Sequence, residues 1–209
     1  ICLIIFTLFF LVIAIFRPQY GFQYQTIKNT GIDIVFAIDL SNSMLANDIK
    51  PNRLANAKLE IKRCIDKYIK TDRVGIVAFA GAAFTNCPLT VDYEAVKTVI
   101  DALDATTITP QGTNIAAALE RALLTLKPET PTNKVIILLT DGEDHSGVVT
   151  EKLEKIKEYN NIKVYTIGIG TAEGAPIMIA PGEFVKDNSG NIITSKLDEE
   201  LLKNIALST

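Results

Sequence analysis

Asp39, Ser41 and Ser43 stand at alternate positions directly after the apolar run Ile32-Asp-Ile-Val-Phe-Ala-Ile. A carboxylate and two hydroxyls at the end of a segment rich in β-branched residues read as a buried strand delivering three oxygen side chains into the loop at its carboxyl end. Two further pieces offer the same kind of atom: Gly112-Thr113, and Thr140-Asp141-Gly142, which closes the most hydrophobic run of the chain. Hydroxyl and carboxylate oxygens suit magnesium, manganese or calcium and are poor ligands for zinc or copper, which prefer imidazole and thiolate. Because hydroxyls outnumber carboxylates, a bound cation would keep most of its charge and stay attractive to an outside anion. The expected chemistry is therefore a site whose last ligand comes from another molecule, as catalytic metal sites keep one position open. Gly112 and Gly142 permit the close turns such a site needs. Taken singly, each piece has an ordinary explanation, since Ser and Thr cap helices and form turns and an Asp often follows a strand. Three such pieces in this order, at strand ends, point to a common site.

The elements that would carry them follow from hydrophobic periodicity. Strands are expected at Ile32–Ile38, Arg73–Phe79, Lys134–Thr140 and Val164–Ile169, with a short pairing segment at Ala83–Leu89. Helices are expected from Asn52 after Pro51 to Ile69, over Tyr93–Leu103, from Thr113-Asn114 to just before Pro128, over Val148–Tyr159 and over Leu197–Ala206. Pro-Gly and Asn-Ser-Gly-Asn punctuation within Pro176–Thr194 suggests a hairpin excursion. Near-continuous apolar strands alternating with helices imply an α/β fold, a doubly wound and mostly parallel sheet flanked by helices. Such sheets bind ligands beyond the carboxyl ends of their strands, where strand order reverses, and Asp39 and Asp141 both fall at that edge.

The 209 residues, 48% hydrophobic and 22% charged, suit one globular domain with appendages. A formal net charge of -3 lacks the basic footprint of nucleic-acid binding, so no nucleic acid is expected as a partner. Residues 1–16 are apolar apart from Cys2 and Thr7, and Arg17-Pro18 ends the run. As a helix they would rise about 24 Å against a hydrocarbon core of about 30 Å. With no initial methionine, the expectation is a truncated transmembrane helix over 1–16, a juxtamembrane linker over 17–30 and the domain over 31–209. Cys2, Cys64 and Cys87 are odd in number and have no metal-ligand spacing. Cys64 is expected as a small buried hydrophobe on a helix face shared with Leu54, Ala57, Ile61, Ile65 and Tyr68.

Enzymatic readings fare worse. A haloacid-dehalogenase-type phosphatase would carry a second Asp two residues after the first, where this chain has Ser41. A serine hydrolase would need a Gly-x-Ser-x-Gly elbow and a histidine, but His145 is the only histidine and is expected on a solvent-exposed loop. A phosphate loop with Lys-Ser or Lys-Thr is absent from the sequence. Glu143 and Asp144 read as solvated loop charges that make the rim acidic.

The combination of DxSxS after the first strand, Gly-Thr before a central helix and Thr-Asp-Gly after a later strand resembles the metal-ion-dependent adhesion site of von Willebrand factor type A domains. The resemblance runs from about Gly31 to Ala206. It implies that Ser41 and Ser43 bind a divalent cation directly, Thr113 directly or through water, and Asp39 and Asp141 mainly through water. Magnesium is the expected ion, with manganese or calcium as alternatives. Arg17-Pro18-Gln19 after a hydrophobic segment, Met44-Leu45-Ala46 and Asp48-Ile-Lys-Pro-Asn-Arg53-Leu are further similar to the Bat (Bacteroides aerotolerance) membrane proteins of bacteria. The implied function is a noncatalytic, membrane-anchored protein-interaction module. Its partner would supply an Asp or Glu to the metal, other Bat-type proteins would be partners too, and the domain would lie on the periplasmic side of a bacterial inner membrane. The rival is a structural assembly domain with a vestigial metal site.

Overall fold

The computed structural model describes residues 2–16, 31–144, 147–180, 182–187 and 189–209. The linker expected over 17–30 and the loop position expected for His145 lie outside the described residues. Helix α1 (Cys2–Phe16) is apolar, with Leu3, Ile4 and Phe6 exposed. Among the described residues no helix is long and apolar enough to cross a membrane, so the expected transmembrane helix is present only as a helix of 15 residues.

Strand β1 (Asp33–Asp39) is buried along its whole length. It pairs in parallel with β2 (Arg73–Phe79) on one side and β4 (Lys134–Thr140) on the other, with Asp39 opposite Phe79 and Ile38 opposite Leu139. Strand β3 (Ala83–Thr90) adds antiparallel to β2, and β5 (Ile162–Gly168) adds parallel to β4, for the order β3-β2-β1-β4-β5. Order reverses at β1, so the crevice between the carboxyl ends of β1 and β4 is the place where such a sheet binds ligands. Alternation along β1 assigns its side chains to two cores. Ile34, Phe36 and Ile38 pack with α2 (Arg53–Tyr68) and α3 (Tyr93–Ala102), whereas Val35 and Ala37 pack with α4 (Ile115–Leu126), α5 (Val149–Lys157) and α6 (Glu199–Leu207). A central strand covered on both faces has no room for polar alternation, which is why β1 reads as a continuous apolar run.

Several helix starts are fixed by side-chain caps that accept otherwise orphaned backbone N–H groups. Asn52 accepts from Ala55 N at 2.7 Å, Asn114 from Ala117 N at 2.9 Å and Asp198 from Leu201 N at 3.0 Å. On α2, Leu54, Ala57, Ile61 and Ile65 are buried as expected, Cys64 is half-buried, and Tyr68 is 67% exposed. Tyr68 is the last residue of the helix, past the sheet it packs on, and its ring lies 5.1 Å from Lys67 Nζ. The excursion before α6 consists of two small antiparallel sheets, one pairing β6 (Ala175–Pro176) with β9 (Thr194–Ser195), the other β7 (Met178–Ala180) with β8 (Glu183–Phe184).

Candidate metal centre

Three loops converge beyond the carboxyl ends of β1 and β4. Asp39, the last residue of β1, is fully buried. Its Oδ1 accepts the Ser41 backbone N–H at 2.8 Å and its Oδ2 accepts the Thr140 hydroxyl at 2.5 Å. Burial, and after it the negative charge of Asp141, push the Asp39 carboxyl from 3.8 up to about 7, against the downward pull of Ser41 and Thr140. Two carboxylates set this close in a dry site repel one another, and a cation is the ordinary relief for such an arrangement.

The chain then turns through a short 3-10 segment, Asn42–Leu45. The hydroxyl of Ser41 does not cap this turn; it lies 2.9 Å from the hydroxyl of Ser43. Thr113 is likewise not the cap of α4, a role taken by Asn114. The ordinary explanations for these hydroxyls therefore do not account for Ser41 and Thr113. Ser41, Ser43 and Thr113 together line one cleft of about 190 Å³ with Gly112 and Glu143. Gly112 has φ +112 and Gly142 has φ +84, conformations that disfavour any residue with a Cβ.

Asp141, directly after β4, is fully buried and forms the floor of the crevice. Its Oδ2 accepts from Arg53 Nη1 at 2.9 Å and from the Ser195 hydroxyl at 3.1 Å, and its Oδ1 from Glu143 N at 3.3 Å. Arg53 is itself completely buried. It grips Asp48 with Nε at 2.9 Å and Nη2 at 2.7 Å, and reaches the Ser195 hydroxyl at 2.7 Å and carbonyl at 3.1 Å. Burial works against the guanidinium charge, but Asp48 and Asp141 outweigh it and hold Arg53 above its ordinary value. The hydrogen bond from Arg53 draws the Asp48 carboxyl down to about 2.

The five residues singled out in the sequence thus meet at one crevice: three hydroxyls face the cleft, and Asp39 and Asp141 lie buried beneath it. Among the described residues no three His, Cys, Asp or Glu side chains cluster as a metal cage, so a hydroxyl-rich donor set is what the crevice offers. Such a set fits a hard divalent cation. Two expectations change. Glu143 and Asp144 are half-buried rather than solvated: Glu143 accepts from Lys196 N at 2.9 Å, and Asp144 from Ile115 N at 3.1 Å. The supporting residues Arg53, Asp48, Thr140 and Ser195 were not assigned roles from sequence. Thr140 sits in the Thr-Asp-Gly motif, and Asp48 and Arg53 lie in a segment noted for its resemblance alone, so these three had a visible signal; Ser195 had none.

The von Willebrand factor type A domain profile matches residues 33–206. Two solved structures are similar over 85% of this chain, both with TM-score 0.80. They are BatB from Bacteroides thetaiotaomicron, 37% identical with 86% of that chain covered, and an aerotolerance-related membrane protein from Bacteroides fragilis, 36% identical with 88% covered. Proximal thread matrix protein 1 from the mussel byssus, whose metal-ion-dependent adhesion motif is occupied by zinc, is 28% identical over 68% of this chain and 36% of its own, with TM-score 0.58. The chain spans about half the length of the curated relatives it matches, UPF0353 proteins among them.

Proposed function

Since the chain belongs to the von Willebrand factor type A family, we propose that it is a noncatalytic protein-interaction module that binds a partner's carboxylate through a divalent cation. One observation carries this reading. Ser41, Ser43 and Thr113 open onto a single cleft above two buried, mutually repelling carboxylates, Asp39 and Asp141. In the proposed site Ser41, Ser43 and Thr113 hold the ion, while Asp39 and Asp141 balance its charge from below. Bound there, the ion supplies a positive centre able to take one more oxygen ligand. Thr140 and Arg53 each hold one of the carboxylates in place.

Magnesium is the proposed ion, on the hardness of the donors and its abundance as a hard cation; the zinc in the mussel protein belongs to that protein. The likeness to Bat proteins supports assembly with other Bat-type proteins in a stress or aerotolerance complex. The apolar α1 and the description of the Bacteroides fragilis relative as a membrane protein support anchoring through residues 1–16 to a bacterial inner membrane; the periplasmic side is proposed for the domain on the Bat resemblance alone. The reading is tested by affinity purification of the protein from cross-linked membranes. A carboxylate-bearing partner should be released both by a chelator and by Ser41→Ala; retention through both treatments contradicts the proposal.

A further inference from the structure

The cleft that holds Ser41, Ser43 and Thr113 is only partly polar. Ile177, Val185 and Ile193 also line it. These three come from separate passes of the excursion and are joined by a closed ring of backbone hydrogen bonds. Ile177 N donates to Ile193 O at 3.2 Å, Ile193 N to Val185 O at 2.9 Å, and Val185 N to Ile177 O at 3.0 Å. The ring holds three aliphatic side chains as one small platform. Ile177 is buried, Val185 is half-buried and Ile193 is 37% exposed, so the platform grades from core to open cleft.

The platform is also fixed to the floor of the crevice. At the end of its last strand, Ser195 is fully buried and donates to Asp141 Oδ2 at 3.1 Å while accepting from Arg53 at 2.7 Å. Lys196 N bonds Glu143 Oε1 at 2.9 Å and Asp198 N bonds Asp141 O at 2.8 Å. The apolar wall and the hydroxyl wall are thus held in one register by the residue that forms the site's floor. Pockets that combine an apolar lining with a few convergent polar groups select ligands matching both halves.

We infer that the platform of Ile177, Val185 and Ile193 is the specificity wall of the metal cleft and that it takes a partner segment in which an Asp or Glu is followed directly by an aliphatic side chain. The inference rests on the metal-dependent reading proposed above. Charge and polarity complementarity select this occupant. A cation held by neutral hydroxyls is positive towards the cleft and takes the carboxylate. The platform lining the same cleft is apolar and takes the neighbouring aliphatic group. A bare carboxylate would leave the platform wet, and a purely apolar segment would leave the ion without its ligand.

The test uses the full chain in lipid nanodiscs, with empty nanodiscs as the blank, saturating manganese, and two fluorescein-labelled, end-blocked peptides, Gly-Gly-Asp-Leu-Gly and Gly-Gly-Asp-Ser-Gly. Fluorescence anisotropy should give about tenfold tighter binding for the leucine peptide, the scale of discrimination that an apolar pocket provides. Ile193→Ser should bring the two affinities within about threefold, leaving the serine peptide and manganese binding unchanged; Val185→Thr, nearly isosteric, should do the same and serves if Ile193→Ser fails to fold. Equal affinities on the native protein, or a preference that survives in the folded variants, overturn the specificity wall while leaving the metal reading standing. Absence of manganese binding, or peptide binding that ignores manganese, overturns the metal reading and the wall with it.

Discussion

Replacing Arg53 by Met tests how far the crevice depends on a single buried cation. Arg53 has no exposure and makes five hydrogen bonds to Asp48, Asp141 and Ser195. Met fills much of the same volume but leaves Asp141, also without exposure, unpaired and close enough to Asp39 to raise its pKa. Breaking a buried ion pair by removing one partner costs about 3–5 kcal/mol, because the remaining charge stays buried and uncompensated. At about 2–4 °C per kcal/mol for a domain of this size, the melting temperature should fall by about 6–20 °C. The assay is thermal unfolding followed by circular dichroism in chelator, with urea unfolding supplying the free energies. A double-mutant cycle with Asp141→Asn separates the pair from the general cost of each change. Arg53→Lys should fall between native and Met, since it keeps the charge but not the planar fork that grips Asp48 and Ser195. A loss below about 1 kcal/mol for Arg53→Met, where exposed pairs fall, or a coupling near zero with Asp141→Asn, would refute the argument that Arg53 holds the floor of the site.

Two further outcomes follow from the same geometry. Asp48 is held at about 2 by Arg53, below its unfolded value of 3.8, so the folded state binds fewer protons there than the unfolded chain. The stability this contributes is full above about pH 4 and is lost as pH falls towards 2, and acid titration of unfolding should show a shallower loss in Asp48→Asn than in the native protein. Gly142→Ala should destabilise by more than about 1 kcal/mol in thermal unfolding, because φ is +84 and the added Cβ would meet Asp198 O at 2.7 Å. An Ala variant as stable as the native protein would show that this turn can relax.

Much of the sheet was legible because its strands are buried on both faces. The runs at Arg73–Phe79 and Lys134–Thr140 have no exposed face to interrupt the pattern, and both strands occupy those residues. Asn52, Asn114 and Asp198 mark helix starts through local bonds that reach only three residues ahead. Edges were less readable. Strand β5 begins at Ile162, two residues earlier than its apolar pattern suggests, because Ile162 and Lys163 pair with Lys134 and Val135 of β4. The crevice shows the same division. Asp39, Ser41 and Ser43 are neighbours in the chain, so their spacing could be read. Arg53 meets Asp141 across 88 positions and Ser195 across 142, and nothing local marks an arginine in the first turn of a helix as buried. The excursion was announced by its Pro-Gly and Asn-Ser-Gly-Asn punctuation, but the ring joining Ile177, Val185 and Ile193 exists only once three passes meet.

The central claim is that the hydroxyls of Ser41 and Ser43, above Asp39 and Asp141, hold a divalent cation. Isothermal titration of the protein with magnesium and with manganese measures this most directly, comparing the native chain with Ser41→Ala/Ser43→Ala after circular dichroism shows both are folded. The account predicts a saturable binding event of one ion per chain in the native protein that is lost in the double variant. The same isotherm for both proteins, or none for either, would contradict it.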